Sequence, residues 1–128
     1  MIGATLRWAM LGLGVMFCST SAFASGPDPV GDWARDDGTT KMSIAPCGQK
    51  LCAKNTWVKD PNGDEKLGDV LEMTLEPKSA TVFAGEAFDQ RRDMTYSMKL
   101  SMTGSKMQTQ GCVLLGIICK TADWTRVQ

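Results

Sequence analysis

The chain has 128 residues, with 14 Lys+Arg against 14 Asp+Glu and no histidine, enough for one small domain. The balanced charge leaves no basic footprint for nucleic acid or for an anionic membrane surface. Without imidazole the commonest general base, the usual zinc ligand and histidine-dependent triads are excluded.

Residues 1–24 carry one early positive charge (Arg7), an apolar run from Trp8 to Phe17 and the ending Ala22-Phe23-Ala24. This is the layout of a secretory signal peptide cleaved after Ala24. It leaves 25–128 as a single domain in the periplasm or outside the cell. The apolar run is shorter than the ~20 residues a bilayer span needs, so no transmembrane segment is expected. Cys18 follows Met16-Phe17 rather than small residues, which argues against lipidation.

Four cysteines remain, Cys47, Cys52, Cys112 and Cys119. In a short exported chain they read as two disulfides, for which three connectivities are possible. Cys47 and Cys52 enclose four residues including Gly48, and Cys112 and Cys119 enclose six including Gly116. Hairpin ends meet the short Cα separation of a disulfide, so the spacing favours Cys47–Cys52 and Cys112–Cys119. No C-x₂-C spacing supports a metal site.

Short alternating runs broken by turn residues predict eight strands. In chain order they are Val30–Arg35, Thr39–Ala45, Leu51–Lys59, Asp69–Glu76, Ala80–Phe88, Met94–Met102, Lys106–Cys112 and Ile118–Val127. The sixth is the clearest, with every even position from Met94 to Met102 apolar and every odd one polar. Asp36-Asp37-Gly38, Pro77-Lys78-Ser79 and Thr103-Gly104-Ser105 supply turn chemistry. The longest connector is Asp60–Lys66. Strands this short, joined this tightly, suit an all-β, up-and-down antiparallel eight-stranded barrel, with a flattened sandwich as the competing architecture. The expected inward set is Trp33, Met42, Ile44, Ala53, Trp57, Leu71, Met73, Leu75, Phe83, Tyr96, Met98, Leu100, Met107 and Trp124. A barrel of eight strands either fills with side chains or holds one small ligand.

Gly31-Asp32-Trp33 opens the first strand and Trp124-Thr125-Arg126 closes the last. In a closed barrel these strands are neighbours, so Arg126 can lie over the Trp33 indole and close one end. The pattern resembles that of lipocalins and their relatives. The order Asp32-Trp33, Pro46-Cys47-Gly48-Gln49-Lys50-Leu51-Cys52-Ala53-Lys54, Thr95-Tyr96-Ser97, Gly111-Cys112 and Trp124-Thr125-Arg126 is similar to the exported bacterial family called domain of unknown function 2147. That resemblance implies a periplasmic or secreted, lipocalin-like small barrel, with no established activity. Two departures concern loops. Asp89–Asp93 replaces the family's Asp-Pro-x-x-Gly turn, and the middle loop is short.

Met42, Met73, Met94, Met98, Met102 and Met107 all fall in strands. They read as gap-filling core or as a soft lining for apolar ligands. Met94, Met98 and Met102 step ~13 Å apart along a strand, too far for one copper ion, although a cross-strand pair such as Met98 with Met107 would be closer. In Asp60-Pro61-Asn62-Gly63-Asp64-Glu65 the glycine sits at position four rather than the six of a calcium loop, and the distal acid is absent, position 71 being leucine. Arg91 and Arg92 between Asp89 and Asp93 read as a mutually screened, exposed turn. No serine has a base or a Gly-x-Ser-x-Gly elbow, and the facing of Glu86 depends on register.

These residues describe a non-enzymatic protein with no catalytic residues, no metal and no cofactor. The leading function is binding of a small apolar or amphipathic ligand inside the barrel, between Trp57, Met73, Tyr96 and Met98. The alternative is a solid-cored cell-envelope interaction module without a small-molecule ligand, working through Asp60–Lys66 and Asp89–Asp93. The sequence names no protein partner.

Overall fold

The computed structural model describes residues 28–127, together with residue 3 and residues 12–16. The expected signal segment and Cys18 therefore fall largely outside the described residues. Eight antiparallel strands form one closed barrel: β1 (Gly31–Arg35), β2 (Thr40–Cys47), β3 (Lys50–Val58), β4 (Val70–Pro77), β5 (Val82–Asp89), β6 (Met94–Thr103), β7 (Lys106–Val113) and β8 (Ile118–Arg126). Each pairs with its sequence neighbour, and β1 closes on β8 through Trp33↔Arg126, Ala34↔Thr125 and Arg35↔Trp124. The all-β, up-and-down expectation holds, and the sandwich is set aside.

Alternation along the strands fills the interior. Met98, Leu100 and Met102 of β6 are buried, while Lys99 between them is exposed and Ser101 half-buried. Trp33, Ile44, Leu100, Met102 and Met107 are all less than 2% exposed except Met107, at 2%. Met42, Ala53, Met73, Ala87, Met98 and Trp124 complete the buried cluster, with Leu51, Leu71, Leu75, Phe83 and Ala122 packed against it. Outward positions such as Lys41, Lys54, Thr74, Glu86 and Lys99 are exposed. Apolar inside and polar outside is the reverse of a membrane-spanning barrel.

Glycine is required where β5 bends. A Cβ on Gly85 would run into the Thr74 carbonyl oxygen across the β4–β5 pair, so a glycine kink lets the sheet curl there.

The disulfides are Cys47–Cys52, across the β2–β3 turn, and Cys112–Cys119, across the β7–β8 turn. Both are the pairings that the hairpin spacing favours.

Trp57 is a correction. It is 43% exposed, because the β2–β3 register shifts between Lys41 and Met42. Lys41 faces Trp57 while Met42 faces Asn55, leaving Thr56 as an extra residue. That bulge inverts the in–out phase beyond it. Trp57 turns outward beside Lys41, whose Nζ lies 5.7 Å from the ring centroid.

Candidate functional site: a loop platform over a sealed barrel

Strand direction alternates, so the β1–β2, β3–β4, β5–β6 and β7–β8 connections gather at one end of the barrel. Two of them are joined. Arg91 lies in the β5–β6 turn, and its Nε donates to both carboxylate oxygens of Asp69 in the β3–β4 loop, at 2.8 and 2.9 Å. Its Nη2 donates to the Asp64 carbonyl at 2.6 Å, and Arg92 Nη2 reaches the same oxygen at 2.7 Å. One acceptor thus receives two guanidinium groups from the neighbouring turn.

Beneath this clasp the top layer of the lumen is polar. Asp89 shares the inward phase of Ala87 and is 3% exposed. Its Oδ2 accepts from Arg92 Nη1 at 2.8 Å, and its Oδ1 accepts the backbone N–H groups of Arg91 and Arg92, each at 3.1 Å. Burial pushes the Asp89 carboxyl pKa up, but these hydrogen bonds and the adjacent Arg92 charge hold it below the usual carboxylate range. Asn55, 9% exposed, donates through Nδ2 to Glu65 Oε2 and to the Lys66 carbonyl. The long loop is therefore tied down on the mouth of the barrel. Leu67 stands 68% exposed on its outer side.

The expectation of a mutually screened, exposed Asp89–Asp93 turn is corrected by this arrangement. Extending the alternation of β5 by two residues from Ala87 would have placed Asp89 inside. The partner of Arg91 lies 22 residues away in sequence, and no local pattern reveals it.

The opposite mouth is sealed differently. Arg126 places its guanidinium carbon 4.3 Å from the Trp33 ring centroid. Its Nη1 and Nη2 donate to the carbonyls of Val30 and Asp28, at 2.9 and 2.6 Å. Trp33 Nε1 donates to the Pro29 carbonyl at 2.9 Å, so the entering chain crosses under the ring.

Of the four expected ligand-lining residues, Met73 and Met98 are buried in the core, Tyr96 is half-buried and Trp57 is outside. The structure does not bring them together around one space. Five of the six methionines are core and Met94 is 40% exposed, since β7 pairs with β6 only from Ser97 onward. The cross-strand methionine pair is Met102↔Met107, and Met98 faces Gly111.

Two open depressions lie on the wall. One, of about 270 Å³, is lined by Thr74, Glu76, Lys78, Ala84, Gly85 and Glu86. The other, of about 350 Å³, is lined by polar groups including Asp36, Lys106, Gln108 and Asp123, with Met107 and Trp124. Glu86 itself faces outward. Among the described residues no three His, Cys, Asp or Glu side chains cluster as metal ligands would, and no helix is long and apolar enough to cross a membrane.

The family model described as "Uncharacterized protein conserved in bacteria (DUF2147)" matches residues 31–126. No curated protein matches the chain. A solved structure of a redesigned beta barrel is similar at 15% identity, over 77% of this chain and 90% of its own, with a TM-score of 0.49.

Proposed function

Because the chain belongs to this uncharacterised bacterial family, whose model runs from β1 to β8, we propose that it is an exported interaction module with a solid core. The barrel is a rigid stand, and the platform of joined loops is the working surface. The observation that carries this reading is the clasp of Arg91 and Arg92 on Asp64 and Asp69. It fixes two loops relative to each other above a filled interior, as a preorganised recognition surface requires. Export with cleavage after Ala24 belongs to the same proposal and is supported by two disulfides, which persist in oxidising compartments.

Filling of the lumen sets the carrier reading below this one. The most deeply buried side chains, Trp33, Ile44, Leu100, Met102 and Met107, occupy the space a ligand would take.

The platform reading is tested by crosslinking in the intact envelope. Asp64→Lys combined with Leu67→Glu changes exposed platform side chains and leaves Arg91, Arg92 and Asp69 in place. The expected result is loss of the wild-type crosslinked bands with an unchanged melting temperature. The same bands from both proteins would remove the platform as the working surface.

A further inference from the structure

Four aliphatic side chains stand in solvent at the tip of the β7–β8 hairpin. Leu114 is 65% exposed, Leu115 104%, Ile117 81% and Ile118 52%. The backbone adds to the cost of placing them there. Leu114 and Leu115 hold φ values of +52° and +57°, a left-handed region that residues with a Cβ visit uncommonly. Asparagine or glycine would suit both the backbone and the solvent better.

The tip also projects. Pairing of β6 with β7 stops at Ser97↔Cys112, and β1 pairs with β8 only over Trp124–Arg126. Ile118 to Thr121 are exposed on both faces of the strand. The hairpin thus runs well past the end of β1 and parts from β6 after Cys112, although β6 itself continues to Met94 on β5. Cys112–Cys119 fastens its base, with Cα atoms 4.1 Å apart. At the turn the Ile117 N–H donates to the Leu114 carbonyl at 3.2 Å.

We propose that this tip inserts into the hydrocarbon boundary of a membrane and anchors the barrel to a lipid surface. The aliphatic groups surround a narrow convex point. A groove on a protein would cover one face of it, whereas a fluid apolar phase covers every side. The charge pattern matches that medium. Gly111 to Cys119 carries no charge, and Lys120 follows at once, ~3.3 Å further along the strand and able to extend its ammonium to the headgroups. Tyr96 lies at the root of the hairpin, its Cβ 3.9 Å from where a Gly111 Cβ would stand. An amphipathic ring suits the interface. The anchor is apolar, so the near-zero net charge of the chain does not oppose it. It goes beyond the platform reading and stands on different residues.

The test is vesicle flotation of the oxidised chain from Ser25, whose core is built wholly from residues between 29 and 127. Vesicles are phosphatidylcholine alone, or phosphatidylcholine with phosphatidylglycerol. The wild type is expected to float with both and to stay bound at about 1 M salt, where charge contacts are screened. Leu115→Asp with Ile117→Asp is expected to reduce partitioning by about tenfold or more, at an unchanged melting temperature. Leu115→Phe is expected to float like the wild type. If the double variant fails to fold, Leu115→Gly relieves the backbone and removes only the side chain, and it is expected to partition more weakly. A wild type that floats with neither vesicle overturns the proposal. So does flotation confined to anionic vesicles and abolished by salt, or wild-type dimers that the tip variants dissociate, which would identify a second copy as what covers the tip.

Discussion

Arg126 lies over the ring of Trp33, its guanidinium carbon 4.3 Å from the centroid, and the two residues are direct cross-strand partners where β8 meets β1. One side chain both stacks on the core tryptophan and holds the incoming chain through the Asp28 and Val30 carbonyls. Gly31 makes room for it. A Cβ there would stand 2.5 Å from Arg126 Nη1, at a φ of +139°.

Arg126→Ala therefore removes a cation–π contact and two charge-assisted hydrogen bonds. The expected loss is about 2 kcal/mol, discounted for partial exposure, or a melting temperature lower by roughly 10 °C. Arg126→Lys should recover only part of this, since an ammonium lacks the fork that reaches both carbonyls. Thermal unfolding followed by circular dichroism measures both. Equal melting temperatures for the alanine variant and the wild type would remove this contact from the account of barrel closure.

The two tryptophans at opposite ends of the alternation argument should differ sharply. Trp33→Ala empties a fully buried position at the mouth that Arg126 seals, and a cost of about 3–5 kcal/mol is expected. Trp57→Ser loses only an exposed ring with Lys41 above it, for less than about 1 kcal/mol. Urea denaturation of the pair checks the bulge at Thr56. Comparable losses would place Trp57 back inside the barrel.

That pair also shows what the sequence could and could not convey. Period-two patterning is enough to find eight strands, their order and thirteen of the fourteen expected inward residues at buried or half-buried positions, and the motifs at the two chain ends give the Trp33–Arg126 closure. Trp57 escaped because a bulge adds one residue to one strand and leaves no mark in composition. Asp89 escaped because its carboxylate is buried by partners from its own turn, which hydropathy scores as exposure. The platform was visible only as two charged loops. Its clasp depends on Arg91 meeting Asp69 just beyond the Leu71↔Asp89 end of the β4–β5 pairing, a contact set by strand register rather than by local pattern. The aliphatic tip falls in the connector that the pattern leaves between Cys112 and Ile118, and only the end of β6–β7 pairing at Ser97 shows it standing free.

Acid should loosen the platform end. The Asp89 carboxyl is held below its ordinary range in the folded protein, so its contribution to stability is complete above the unfolded value of about 3.9. It is lost as pH falls through the depressed folded value. Asp36 and Asp37 are also lowered, chiefly by hydrogen bonds from Thr125 and Thr39, and they titrate in the same direction. Asp89→Asn should be less stable than the wild type at pH 7 and should lose less on acidification below about pH 4. Urea midpoints from pH 7 down to pH 2 measure the difference. Parallel curves for the two proteins would show that Asp89 does not carry the acid sensitivity.

With Trp33, Ile44, Leu100, Met102 and Met107 packed in its interior, the barrel is expected to carry no small molecule. Native mass spectrometry of the protein recovered from its own cells, beside a denatured control, tests this most directly. One species at the bare mass of the disulfide-bonded chain is expected under both conditions. A reproducible adduct of a few hundred daltons at one copy per chain, lost on denaturation, would contradict it and make the barrel a carrier.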